Sequence, residues 1–201
     1  SPIVGVDLIR TGKDDFYVLE DNCRTPSGVS YMLENREIMM KMFPDLFHSN
    51  RVLRVDDYPT RLLQTLMSLA PKKCDSSVPT VVLLTPGHLN SAYYEHTFLS
   101  DQMGIEMVEA QDLFVENDFL YMKTVDGPKK IDVVYRRIDD DYLDPLAYNP
   151  NSVIGVPGIT HVYKTGGVNI CSAPGAGIAD DKAVYIYVPE MIKFYLGETP
   201  I

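Results

Sequence analysis

Three side chains near the N-terminus have the types and spacing to act together. Residues two apart on a strand share a face, so if residues 16–22 are extended, Glu20 and Asn22 point one way while Leu19 and Asp21 point the other. Residues 3–9 also read as a strand, and residues 10–15, containing Gly12, read as the turn that folds the two into a hairpin. A register pairing Leu8 with Leu19 sets Asp7 opposite Glu20 and Gly5 opposite Asn22. Directly opposed Cβ atoms lie about 5 Å apart, and like charges so placed repel. A hard divalent cation, Mg²⁺ or Mn²⁺, is the natural neutraliser of such oxygen donors, usually with substrate phosphates completing its shell. The spacing alone leaves a second reading open, two solvated carboxylates on an open sheet face. Arg24, Thr25, Pro26, Ser27 and Gly28 follow at once and end in small residues at a helix start, where backbone N–H groups can receive an anion.

Further candidates lie downstream. Arg136 and Arg137 follow an apolar strand at residues 131–135, at the edge where open α/β sheets place their ligands. Pairing with Asp139, Asp140, Asp141 or Asp144 would occupy them equally well. Gly175, Ala176 and Gly177 form half of a glycine-rich phosphate fingerprint, but Asp180 stands at its third position; a loop with Asp180 as helix cap is the alternative. Lys182 on position alone is a solvated first-turn lysine. His88 and His96 lack ligand spacing, and Cys23 reads as a small apolar filler.

The elements that must position these residues follow an α/β rhythm. Helices are expected at 29–42, ended by Pro44, and at 59–69. The polar, proline-bounded stretch 71–79 marks a boundary between lobes. A strand at 80–84, a helix at 91–103 closed by Gly104 and a strand at 105–109 make one βαβ unit. A hairpin at 115–124, the strand at 131–135, a helix at 152–164 capped by Gly166, a strand at 168–171 and a last helix at 180–196 complete the order.

The 201 residues carry a net charge of −10 with 45% hydrophobic and 23% charged side chains, which excludes wholesale disorder and leaves room for a sizeable core. The acidic balance and the lack of a Lys/Arg stripe argue against a general nucleic-acid binder. No apolar run is long enough to span a bilayer, and the three cysteines make neither a disulfide framework nor a zinc site, so the cytoplasm is the expected compartment. The start at Ser1 with no initiator Met suggests a piece of a longer chain.

These residues resemble the circularly permuted ATP-grasp family, which includes glutathionylspermidine synthase and many uncharacterised bacterial proteins, the match being closer to the latter. The resemblance rests on Gly5-Val6-Asp7-Leu8-Ile9-Arg10, residues 18–22, Pro26-Ser27-Gly28-Val29-Ser30-Tyr31 and Leu33-Glu34-Asn35-Arg36. It continues through Leu84-Thr85-Pro86-Gly87, Asn90-Ser91-Ala92-Tyr93, Tyr135-Arg136-Arg137-Ile138-Asp139-Asp140-Asp141 with Asp144-Pro145, and Ala179-Asp180-Asp181-Lys182-Ala183. It implies an α/β fold, with a mixed-sheet ATP-grasp-like portion and a Rossmann-like lobe. It also implies ATP and Mg²⁺ as cofactors and formation of an amide from a carboxylate and an amine, on peptide or other small-molecule substrates, through an acyl phosphate. By the same resemblance Asp7, Glu20 and Asn22 are the metal ligands and Lys182 meets the nucleotide. From their own positions, Ser27 and Gly28 at the helix start are expected to meet the nucleotide's phosphates, Arg24 to serve catalysis, and Arg10, Arg136 and Arg137 to bind substrate. Gly5 departs from the synthase, which has a substrate-binding arginine there, and the relatives' second nucleotide lysine and glycine-rich loop lie beyond the matched residues.

The expected division is a metal-binding hairpin with helices at 1–74, the Rossmann-like lobe at 75–178, and residues 179–201 leading into the rest of the ATP-grasp part. The isolated chain is expected to lack turnover, and self-association through its exposed apolar surface is left open. The alternative function is a non-catalytic binding or assembly module whose Asp7, Glu20 and Asn22 are vestigial.

Overall fold

A computed structural model describes residues 2–201. By contact density the chain divides into two compact units, one formed by the segment up to Pro26 with Cys171–Ile201, the other by Ser27–Ile170. Strands among the described residues form three sheets, one mixing parallel pairs with an edge strand and two antiparallel.

The first unit opens with β1 (Gly5–Arg10) and β2 (Phe16–Asn22), an antiparallel hairpin. Asp7 faces Glu20 and Gly5 faces Asn22, but Leu8 faces Val18 instead of Leu19. The register shifts between Asp7 and Leu8, so Leu19 is an extra residue in β2 and the hairpin is bulged beside the acidic pair. Gly5 has a steric reason of its own: a Cβ there would come within 2.8 Å of the Pro26 Cβ. The arginine found at this position in the synthase would not fit without displacing Pro26.

The second unit begins with α1 (Val29–Met42), preceded by Gly28 at φ 109°. Pro44 ends α1 and sits in the first turn of α2 (Pro44–Ser49), a short helix the sequence pattern does not reveal, because proline fits the first turn of a helix as readily as it closes one. In α3 (Tyr58–Ser68) the buried Leu62 and Leu66 supply the packing face. Both α1 and α3 pack on α4 (Tyr93–Met103), which connects β3 (Val81–Leu84) to its parallel neighbour β4 (Glu106–Val108) and ends at Gly104 with φ 66°. Residues 27–74 belong to the second compact unit.

A separate antiparallel sheet contains β5 (Leu113–Glu116), β6 (Phe119–Thr124) and β7 (Gly127–Ile131). Asn117 and Asp118, both at positive φ, make the tight turn between the first two, a conformation Asn and Asp tolerate. Ile131 ends β7, while β8 (Val133–Arg136) pairs with β3 in the other sheet. Between them Asp132 accepts a hydrogen bond from the Thr80 amide, which splits the strand expected at 131–135. A one-turn α5 (Asp140–Leu143) precedes α6 (Ile159–Thr165), shorter than the helix expected at 152–164. Gly155 accounts for part of this, since a Cβ there would overlap the Tyr142 carbonyl at 2.1 Å, and Gly158 sits at φ 84°. β9 (Asn169–Cys171) lies beside β8, giving the order β4-β3-β8-β9. Val82, Leu84, Val134, Ile138, Ile159, Val162 and Ile170 form the centre of the core.

Back in the first unit, a 3₁₀ turn (Ala176–Asp180) leads into α7 (Lys182–Tyr185) and α8 (Val188–Leu196). The single helix expected at 180–196 is thus broken. Asp181 is extended, and Pro189 in the first turn of α8 lacks the N–H needed to continue α7. No helix among the described residues is long and apolar enough to cross a membrane.

Candidate functional site

Within the first unit, the hairpin sets the Asp7 and Glu20 backbones directly opposite each other, with Asn22 two positions along β2. Lys182 at the start of α7 closes this arrangement: its Nζ lies 2.8 Å from Glu20 Oε2. The bonded Glu20 carboxylate, and more weakly the Asp7 charge, raise the Lys182 ammonium above the ordinary lysine range. Glu20 is about one-quarter exposed and Lys182 is 85% exposed, so the pair stands in water on the lysine side.

Two adjacent aspartates aim this lysine. Asp181 caps α7 by accepting a hydrogen bond from the Ala183 amide at 2.8 Å. Asp180, the cap expected from sequence, instead turns back to the end of β2 and accepts from the Cys23 amide at 2.6 Å and the Arg24 amide at 3.4 Å. Its Oδ2 also lies 3.8 Å from Arg24 Nε, beside Gly177. Burial and the Asp180 charge push the Cys23 thiol up. The role of Asp180 escapes sequence reasoning because either member of an Asp-Asp pair before a helix can cap it. Arg10, at the end of β1, folds over Phe16 and donates to the Gly12 and Lys13 carbonyls of its own turn.

Oxygen donors of the kind Mg²⁺ takes are present on the hairpin, two carboxylates and one carboxamide. Among the described residues no group of three or more His, Cys, Asp or Glu side chains is arranged to hold a metal, and Asn22, two positions from Glu20 on the same face of β2, carries the one carboxamide of the three candidate ligands. The set fits a hard cation that retains other ligands.

The remaining candidates lie in the second unit around Glu95, which sequence reasoning missed. Glu95 is 1% exposed. Its Oε2 accepts hydrogen bonds from the Gly28 amide at 2.6 Å, the Ser30 amide at 3.1 Å and the Ser30 hydroxyl at 2.9 Å. The anion at the start of α1 is therefore supplied by the protein itself. Glu95 Oε1 lies 3.5 Å from Arg137 Nη2, which also donates to the Ser27 hydroxyl, while Arg137 Nη1 donates to the Tyr135 hydroxyl at 3.1 Å. Tyr58 belongs to this group, its hydroxyl pushed up to about 12 by burial and by Tyr135 and Glu95. Arg136 points elsewhere: fully buried, it donates to the Ile138 carbonyl and pairs with Asp140 at 2.7 Å. A signal for Glu95 exists in the sequence, since Glu95 and His96 share a helical stripe with Leu99 and Met103.

Compared with known proteins, residues 1–201 match a family described as "A circularly permuted ATPgrasp". An uncharacterized protein of Synechocystis sp. is 53% identical over 199 residues, which cover 99% of this chain and 41% of that protein. One from Mycobacterium tuberculosis is 52% identical over 200 residues, covering 99% of this chain and 36% of that one. A Frankia alni protein named "Putative glutamate--cysteine ligase 2-3" is 39% identical over 197 residues, covering 98% of this chain and 23% of that protein. The chain thus spans about two fifths or less of the length of each of these relatives.

Proposed function

Because the chain belongs to the circularly permuted ATP-grasp family, we propose that it is part of an ATP-dependent ligase that joins a carboxylate to an amine. The observation that carries this reading is the opposed pair Asp7 and Glu20, with Asn22 beside it and the Lys182 ammonium drawn onto Glu20. Asp7, Glu20 and Asn22 would hold Mg²⁺, which when bound offsets the charge on the phosphate oxygens of ATP. Lys182 would meet a phosphate on leaving Glu20, and Arg24, 40% exposed, would add a second cation on this unit.

The chemistry balances as two displacements. A carboxylate oxygen of the donor attacks the γ-phosphorus, the bond to the bridging oxygen breaks, and ADP leaves. The amine then attacks the acyl carbon and loses a proton as inorganic phosphate departs. Positive groups on this chain would assist by positioning and by countering charge on the transferring oxygens. The Frankia protein's name specifies a ligation of the same carboxylate and amine kind, and it belongs to a protein more than four times as long as the matched region. Nucleotide roles for Ser27 and Gly28 rest on their place at a helix start, and substrate roles for Arg136 and Arg137 on theirs at a strand end and for Arg10 on its nearness to Asp7. In the present arrangement these groups bond to Glu95, Asp140, Tyr135, one another or nearby carbonyls. A second reading, a non-catalytic module with a disused site, is favoured by one observation, the in-chain neutralisation of Glu20 by Lys182.

Calorimetric titration with ATP, with and without Mg²⁺, separates the two. Heat that requires the metal and disappears in an Asp7→Ala, Glu20→Ala double variant is expected. Metal-dependent heat that survives in the variant would move the site off the hairpin; with no heat in either protein, the same titration of the full-length protein decides, and its failure there too would favour the disused module.

A further inference from the structure

We infer that Lys182 is an internal counter-ion occupying the metal position on the hairpin, and that a divalent cation must displace it before the lysine can serve a phosphate. This rests on the reading of Asp7, Glu20 and Asn22 as the metal-binding set.

Opposed carboxylates repel, and a folded hairpin needs a positive charge to offset the pair. The Lys182 Nζ provides one, 2.8 Å from Glu20 Oε2. A lysine there and a metal ligated by the same carboxylate compete, because two cations held against one carboxylate repel. The remainder of the geometry makes exchange easy. Lys182 is 85% exposed, so its ammonium can swing into water at little cost, exposed pairs of this kind contributing about 0–1 kcal/mol. Its backbone is tethered at both sides, by Asp181 capping α7 through Ala183 and by Asp180 bonding the Cys23 amide, while the side chain itself lies in solvent. Ammonium and metal thus alternate on one carboxylate. A divalent ion replaces one positive charge with two and expels the lysine toward whatever anion the metal brings with it.

Binding of Mn²⁺ alone, followed by loss of the free-ion electron paramagnetic resonance signal and reversed by Mg²⁺, tests this without any turnover. The proteins are the unaltered chain, Lys182→Met, and Lys193→Met, which removes an exposed lysine of α8 as a control for net charge. Removing the competitor should tighten Mn²⁺ binding about two- to fivefold in Lys182→Met and leave it nearly unchanged in Lys193→Met. With ATP present the order should reverse, Lys182→Met binding the metal–nucleotide pair more weakly than the unaltered chain. Binding in Lys182→Met but not in the unaltered chain would be the strongest support. Equal Mn²⁺ affinity in all three proteins would overturn the counter-ion role while leaving the metal site in place. Absence of Mn²⁺ binding from every protein would instead remove the metal site itself, and the inference with it.

Discussion

The Glu95 carboxylate accepts a hydrogen bond from the Gly28 amide at 2.6 Å, joining the middle of the sequence to the start of α1 with a charge 1% exposed to solvent. An anion at a helix N-terminus is ordinarily a ligand or a capping side chain from nearby in sequence. Here it comes from another helix, 67 residues away.

Glu95→Ala should therefore cost about 3 kcal/mol or more, because it leaves the Gly28 and Ser30 amides and the Arg137 guanidinium without their shared acceptor. Urea unfolding at neutral pH measures this. A loss below about 1 kcal/mol would mean that water takes over the carboxylate's bonds.

His96 should make the second unit sensitive to mild acid. Burial, aided by the Arg137 charge, holds its pKa at about 4 against an ordinary 6.5, and its Nδ1 shares a hydrogen bond with the Thr85 hydroxyl at 2.9 Å. The unfolded chain binds the proton first as pH falls, so stability is full above about pH 6.5 and declines until about pH 4, by roughly 3 kcal/mol. The unfolding midpoint of the unaltered chain should drop between pH 7 and 4.5, and His96→Gln should remove most of that slope. An unchanged slope in the variant would place the acid sensitivity elsewhere.

A lower acid limb should come from Asp144. Burial works to raise its pKa, but the amides of Thr160, Gly158 and Leu146 outweigh it and hold the carboxyl below the usual range. A depressed carboxyl contributes stability above its unfolded pKa that is lost as pH falls through the folded one. Asp144→Asn should thus destabilise at neutral pH by about 1–3 kcal/mol and narrow the difference from the unaltered chain below about pH 4. A gap that stays constant down to pH 2 would contradict this assignment.

Asp180 should control the end of β2. Asp180→Ala removes the acceptor of the Cys23 amide, and hydrogen exchange at that amide should quicken about five- to thirtyfold, as expected for a bond contributing about 1–2 kcal/mol. Unchanged exchange at Cys23 would show that the carboxylate does not restrain the strand end.

Local rules account for what the sequence determined. Alternation put Glu20 and Asn22 on one face, and an assumed pairing of Leu8 with Leu19 set Asp7 opposite Glu20, which holds although Leu8 meets Val18; helical period gave α1 its observed bounds of Val29–Met42, because pleat and period act over a few residues. Glycine ended α4 and α6 where expected, at Gly104 and Gly166, both at positive φ. Family membership was likewise legible, since it rests on ordered short motifs. Only the tertiary structure decided which charges meet. Asp180 leaves the cap of α7 to Asp181 by reaching Cys23, Arg137 and not Arg136 turns toward Glu95, and Glu95 occupies the start of α1; these partners lie 42 to 157 residues apart in sequence. Such pairings carry no periodic signal, because they are selected by burial, where a charge must find an opposite charge or a hydrogen bond, and burial is a property of the packed chain.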